Sequence, residues 1–243
     1  MGVSTTQWLH SVGRVWYHHS MTPIATKPPA VFYPSWDGER IAENTLQFEW
    51  IVTIQGNLDL LFRANPDVFV AGDHLIYPID GDADTRTAPD VYVAFGRPKG
   101  HRGSYKVFAE DGVFPQVIFE VWSTGNTADK MEEKRKFYAK YGAEEYYILF
   151  PDFPAYWHGW RREGNDLVRL PEMNGFVSPR LGMRFEMIRG YIAAYLPSGE
   201  RFLSYVERGI LAEEERRKAD SERERSARLA ARLRELGVDP DSV

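Results

Sequence analysis

The segment that most constrains the fold is QVIFEVW-STGN-TADKMEEKRKFYAKYG-AEEYYILF, residues 116–150. QVIFEVW and EEYYILF are short apolar runs rich in β-branched and aromatic residues, the composition of buried strands. Between them TADKMEEKRKFYAKYG carries helix formers throughout, with Gly142 suited to a left-handed C-terminal cap. Two strands joined through a helix are parallel, and the crossover is right-handed. The chain is therefore α/β (or α+β), with helices packed on a sheet.

The surroundings extend that unit. ENTLQFEWIVTIQGNLDLLFRANPD predicts a first helix, with Leu46, Trp50, Ile54, Leu58 and Leu61 at steps of three and four and Asn65–Pro66 ending the pattern. Glu43 lies three residues before Leu46 and is expected to begin the same face. DVFVAG, HLIYPI and PDVYVAF read as strands separated by Gly, Asp and Pro. After Pro151, AYWHGWRR, NDLVRL, MRFEMI and YIAAYL read as short antiparallel strands that extend or cover the sheet. From Tyr205 the chain is almost wholly helix-forming and charged, with Glu213–Arg217, Glu214–Lys218 and Glu224–Arg228 at i,i+4 spacing. Leu229, Leu233 and Leu236 give a short apolar seam that suits either a solvated helix or a dimerisation coil. Residues 1–40, rich in Pro, His and aromatics, read as an irregular arm, 41–200 as the main domain and 201–243 as a charged helix.

Several function classes are excluded. There is no cysteine among 243 residues, which removes disulfides, thiolate metal sites and a cysteine nucleophile and suits a reducing cytoplasm. No apolar run is long enough for a membrane span, and the N-terminus shows no secretion signal. The net charge is −5; the segment from Tyr205 onward holds nine Lys/Arg against ten Asp/Glu, leaving −4 on the rest. That balance does not suit a protein that coats DNA electrostatically. DGDADTRTAPD places acids at alternate positions but has Thr85 and Val91 where a calcium loop needs Gly and Glu. Asp82 and Asp84 are therefore expected in a turn. The His18–His19 pair, His74, His101 and His158 show no metal-ligand spacing, and neither a phosphate-binding Gly-Lys loop nor a nucleophile elbow is present.

The chemistry gathers elsewhere. On a VIFEVW strand, Ile118, Glu120 and Trp122 share one face and Val117, Phe119 and Val121 the other. A carboxylate on such a strand is costly to bury unless it meets something positive. Asp90 opens the PDVYVAF strand after a polar loop. Asp90 and Glu120, with the backbone carbonyl of Val121, make an oxygen set suited to a hard divalent cation, Mg2+ or Mn2+. On the helix that follows, Met131, Lys134, Tyr138 and Tyr141 form the stripe expected to face the sheet. The lysine belongs there only if its ammonium reaches a charged site, whereas Lys130, Arg135 and Lys136 lie off the stripe, towards solvent. In GRPKGHRGSYK, the side chains of Arg97, Lys99, Arg102 and Lys106 are either phosphate contacts or part of a solvated loop.

APDVYVAF, FEVWSTGNT and EKRKFYAKYGAEEYYILF together resemble the Uma-two family of restriction-endonuclease-like proteins, within the PD-(D/E)XK nuclease superfamily. The resemblance runs from about Glu43 to Asp152 and more weakly through EMNGFVSPRLGMRFE and the charged tail. It implies a restriction-endonuclease-like mixed β-sheet flanked by helices and a divalent-cation site for phosphodiester cleavage. The superfamily aspartate falls on Asp90 and the strand acid on Glu120. The usual strand lysine falls on Trp122; the family moves it to the next helix, where Lys134 matches. Glu43 is the candidate for an acid on the first helix. Two functions follow as expectations: a Mg2+-dependent DNA endonuclease, which a homodimer would suit, or a catalytically weak or inactive nuclease-fold module that binds nucleic acid or protein.

Overall fold

The computed structural model describes residues 31–36, 38, 42–237 and 239–240. Most of the expected 1–40 arm, including His18–His19, lies outside the described residues. The elements run α1 (Thr45–Leu61), β1 (Val68–Gly72), β2 (Ile76–Tyr77), β3 (Val91–Phe95), β4 (Tyr105–Lys106), β5 (Val117–Val121), α2 (Ala128–Tyr141), β6 (Glu145–Phe150), β7 (Tyr156–Glu163), β8 (Asp166–Arg169), β9 (Arg184–Ile188), β10 (Tyr191–Tyr195) and α3 (Tyr205–Glu235).

Six strands form one mixed sheet in the order β1-β3-β5-β6-β7-β8. Its parallel pair is β5–β6, joined through α2, as the crossover segment requires. Every other pairing in this sheet is antiparallel. Side chains alternate across it. Val117, Phe119 and Val121 point into the core shared with α1, and Ile118 into the core shared with Met131 and Tyr138 of α2. Of the strands expected after Pro151, β7 and β8 extend the sheet, while β9 and β10 form a separate hairpin that adds Phe185 and Ala194 to the α1-side core. HLIYPI yields only the two-residue β2, paired in parallel with β4.

Both sheet-packing helices begin with a side-chain cap. Asn44 accepts from the Gln47 N–H and Thr127 from the Lys130 N–H, each satisfying an N-terminal donor with no intrahelical partner. Gly142, at φ 114°, closes α2 in the left-handed conformation.

Two details of the helical stripes differ from expectation. On α1 the buried residues are Gln47, Ile51, Thr53, Ile54, Asn57 and Leu58, whereas Leu46 is exposed. The face is rotated because the amides of Gln47 and Asn57 find inward backbone acceptors on Val121 and Leu203. On α2 Arg135 is not turned towards solvent. It pairs with Asp166 at 2.6 Å and donates to the Leu167 carbonyl at 2.8 Å, fastening the helix to β8.

The tail forms the 31-residue α3, opened by a reciprocal cap between Ser204 and Glu207 and containing no buried residue. Glu213–Arg217 pairs as expected, whereas Lys218 pairs with Glu215 rather than Glu214. Leu229 and Leu236 of the apolar seam are exposed. Among the described residues no helix is long and apolar enough to cross a membrane.

Candidate active site

Asp90 is fixed by the way β3 begins. Gly72, at the end of β1, lies against the Asp90 backbone so closely that a Cβ there would be 2.7 Å from the Asp90 carbonyl oxygen. The same carbonyl accepts from the Asp73 N–H at 3.1 Å. The β3–β5 ladder stops at Val91↔Phe119. Beyond it, the Asp90 carboxylate accepts the Val121 N–H at 2.6 Å, standing where a backbone carbonyl would otherwise pair. This leaves Asp90 half-buried in the lining of a cleft and bound to the strand that carries Glu120.

Glu120 is 2% exposed and faces α2. Both of its oxygens accept from the Lys134 ammonium, at 2.9 and 2.8 Å, and Oε1 also accepts the Tyr138 hydroxyl at 2.6 Å. Lys134 and Tyr138 lie one turn apart on α2, so a single helix face delivers both donors. The same face grips the segment before Asp90: Lys134 donates to the Ala88 carbonyl at 3.2 Å, and the Tyr138 and Thr87 hydroxyls are 3.3 Å apart. The basic partner of Glu120 is thus supplied by the next helix, as the stripe containing Lys134 predicts.

The electrostatics are those of a crowded carboxylate pair. Burial first, and then the neighbouring Glu120 charge, push the Asp90 carboxyl up from 3.8 to about 7; Lys134 and the Val121 N–H oppose the shift, and Asp73 adds to it. Burial and Glu120 hold the Tyr138 hydroxyl well above its ordinary range, so it stays a neutral donor.

Glu43 does not extend the first helix. It precedes the Asn44 cap, and its carboxylate turns to the loop after β5. There it accepts from the Gly125 N–H at 2.5 Å and the Ser123 hydroxyl at 3.1 Å. Gln47 links this corner to the strand. Its side chain accepts the Glu43 N–H at 2.8 Å and donates to the Val121 carbonyl at 3.1 Å.

These groups line a cleft of about 1020 Å3, together with Asp73, Arg86 and Lys130. Among the described residues, no three His, Cys, Asp or Glu side chains converge as a metal-binding group. Two carboxylates, Asp90 and Glu120, line the cleft, which has room for water and phosphate, and with the Val121 carbonyl, which accepts from the Gln47 amide, they make the donor set. It fits a hard divalent cation that keeps part of its coordination for solvent and substrate. A cation would also offset the repulsion that keeps Asp90 so hard to ionise.

The structure does not bring Arg97, Lys99, Arg102 and Lys106 into the cleft. Arg97 pairs with Asp111 at 2.6 Å, Lys99 with Asp59 at 3.0 Å and Arg102 with Glu110 at 2.5 Å. Lys106 lies 4.9 Å over the Tyr33 ring. Besides Lys134, the cations at the cleft are Arg86 and Lys130. Sequence reasoning also passed over Gln47, Asp73 and the hydroxyl of Tyr138. Tyr138, four residues after Lys134 on the same stripe, was the readable one. Asp82 serves a turn, as expected, accepting from the N–H groups of Asp84 and Thr85.

A family model described as Uma2, "Putative restriction endonuclease", matches residues 27–182. Among solved structures, the chain resembles a crystal structure of a "putative nuclease belonging to DUF820" from Anabaena variabilis ATCC 29413. The two share 12% identity over 56% of this chain and 72% of that one, with a TM-score of 0.42. No curated protein matches.

Proposed function

This chain belongs to the Uma2 family of restriction-endonuclease-like nucleases, and from that premise we propose that it is a divalent-metal-dependent endonuclease hydrolysing DNA phosphodiester bonds. The observation that carries this reading is the meeting of Asp90, Glu120 and Lys134 at one cleft, with the lysine coming from α2. Asp90, Glu120 and the Val121 carbonyl would hold Mg2+ or Mn2+, which supplies Lewis acidity towards the phosphodiester and its attacking water.

The chain's own groups do the rest. The Tyr138 hydroxyl and Lys134 ammonium fix the rotation of the Glu120 carboxylate, and Gln47 fixes the direction of the Val121 carbonyl. Lys134 keeps a positive donor beside the carboxylates, where it orients water and offsets negative charge developing on the phosphate. Arg86 and Lys130, at the cleft, are the phosphate contacts in this reading. Glu43 acts as an accessory acid by holding the Ser123–Gly125 turn. In this reading 41–200 is the nuclease domain and 201–243 an appendage carrying α3 (Tyr205–Glu235), and homodimerisation would supply two sites for double-strand cleavage.

A second reading, nucleic-acid or protein binding without turnover, draws on the engagement of the Lys134 ammonium by both Glu120 oxygens. One experiment separates the two. Supercoiled and linear DNA are incubated with Mg2+ or Mn2+ and wild type, Asp90→Ala, Glu120→Ala or Lys134→Ala protein. The enzyme reading expects metal-dependent cutting that falls by about 10²-fold or more in each variant, the scale for losing a charge-stabilising group. Cutting that survives in all three variants refutes the site, and wild-type protein that cuts nothing favours the binding module.

A further inference from the structure

Trp122 stands where the superfamily's strand lysine would fall, two residues past Glu120 and just beyond the end of β5. It begins a column of rings. The indole lies 4.9 Å from the Phe150 ring at an interplanar angle of 25°, and Phe150 lies 4.4 Å from Tyr156 at 12°. Three near-parallel rings thus cross from β5 through β6 to β7. His158 continues the strip, 4.8 Å from Phe150 and 6.0 Å from Trp160, and the Arg169 guanidinium sits 5.9 Å over Trp160. The strip is not sealed in the core. Trp122, Phe150, His158 and Trp160 are half-buried, and Tyr156 is 38% exposed.

We propose that this aromatic column is a stacking surface for unpaired bases of the nucleic-acid strand held in the cleft. The inference rests on the nuclease reading of that cleft and narrows its substrate to single-stranded or locally unpaired nucleic acid. Three features of the strip favour this occupant. It begins beside the cleft, whose lining includes Glu120 and Ser123, the residues two before and one after Trp122. It is bracketed by cations, with Arg86 and Lys130 at the cleft and Arg169 at the far end. And it ends on an exposed ring, Tyr156, whose stacked neighbour is Phe150, so that a base can extend the column there. Aromatic faces flanked by positive charge are the chemistry by which proteins hold single strands, one base stacking on each ring. A duplex offers little to such a surface, since its base faces are spent on one another unless a nucleotide is flipped out. Burial and Arg169 hold the His158 imidazole below its ordinary range, so at neutral pH it contributes a neutral ring.

The test uses the full chain in EDTA, so that binding is read without cleavage. Fluorescence anisotropy compares a labelled single-stranded DNA of about 20 nucleotides, a length spanning one or more typical single-strand sites, with the same sequence as a duplex. The single strand is expected to bind at least about tenfold tighter. Tyr156→Ala is expected to weaken single-strand binding by about tenfold, the scale of one lost base–ring stack, and to leave duplex binding unchanged. Tyr156→Phe should restore it. Because Tyr156 is exposed, its variants should melt as wild type does; Trp122→Leu, checked by its melting curve, probes the other end of the column.

Equal affinity for single strand and duplex, no binding to either, or single-strand binding indifferent to Tyr156→Ala overturns the proposal. The two readings fail separately. Cleavage that depends on Asp90 without any strand preference keeps the nuclease and discards the platform. Ring-dependent single-strand binding by a protein that never cuts keeps the platform and discards the nuclease.

Discussion

Asp90→Asn should make the metal-free protein more stable at pH 8 and leave it nearly unchanged at pH 4. Burial and the Glu120 charge raise the Asp90 carboxyl from 3.8 to about 7. Each tenfold change in an ionisation constant is worth about 1.4 kcal/mol, so the ionised form carries an opposing free energy of up to about 4 kcal/mol in the folded state. The sign follows from proton counting. Between pH 3.8 and about 7 the folded protein holds a proton that the unfolded chain has released. Stability from this group is therefore fully present below 3.8 and is lost as pH rises through about 7. Asparagine never ionises, and its carbonyl can still accept the Val121 N–H that Asp90 holds at 2.6 Å.

Urea unfolding in EDTA, followed by tryptophan fluorescence at both pH values, reads the difference directly. The expected gain of Asn over Asp is up to about 4 kcal/mol at pH 8 and near zero at pH 4. Carboxylates remote from Asp90 are common to both proteins and cancel. Mg2+ at a hundred times its dissociation constant should raise the wild type by about 2.7 kcal/mol at pH 8 and leave the asparagine variant unmoved. An asparagine variant that is less stable at pH 8, or one whose difference from wild type does not depend on pH, would refute the assignment of Asp90 as a carboxylate held against its preference.

Two further outcomes test the frame around the site. A methyl at residue 125 would occupy the space of the Glu43 carboxylate. Gly125→Ala should therefore cost about 2 kcal/mol alone and much less in a Glu43→Ala background, a coupling of about 1–2 kcal/mol readable in a double-mutant cycle of melting or urea midpoints. Glu145, 1% exposed, accepts from the Tyr147 hydroxyl, the Ser178 hydroxyl and the Arg180 N–H. Glu145→Ala strands two buried hydroxyl donors and the partly buried Arg180 N–H and should cost about 3 kcal/mol, against about 1 kcal/mol for Tyr147→Phe, with a loss under about 1 kcal/mol contradicting the structural role.

Much of the fold was legible because its signals are local. The β5–α2–β6 crossover follows from two apolar runs, a helix-forming stretch and a glycine cap at Gly142. The two buried faces of β5 follow from strict alternation. Lys134 could be singled out because a lysine on a sheet-facing stripe requires a charged partner, and the structure supplies one in Glu120. Periodicity fixes that a helix has an apolar face but not its phase. On α1 the inward positions went to Gln47 and Asn57, whose amides are satisfied by acceptors far away in sequence, while Leu46 turned outward. The loop after β3 misled for a similar reason. Its four cations look available in sequence, yet Asp111, Asp59, Glu110 and the Tyr33 ring engage them in space.

By itself, then, the sequence determined the α/β class, the parallel pair, the Gly142 helix cap and the candidate acid–acid–lysine trio at Asp90, Glu120 and Lys134. These depend on residues within a few turns of one another or on patterns that repeat along the chain. Tertiary structure alone decided which groups hold the trio in place. The Asp90 contact to Val121 spans 31 residues, the Gln47 contact to Val121 spans 74 and the Glu43 contact to Ser123 spans 80. Those partners are chosen by which buried polar groups face each other once the sheet is assembled, because an unpaired buried donor or acceptor is costly. No local pattern encodes that choice.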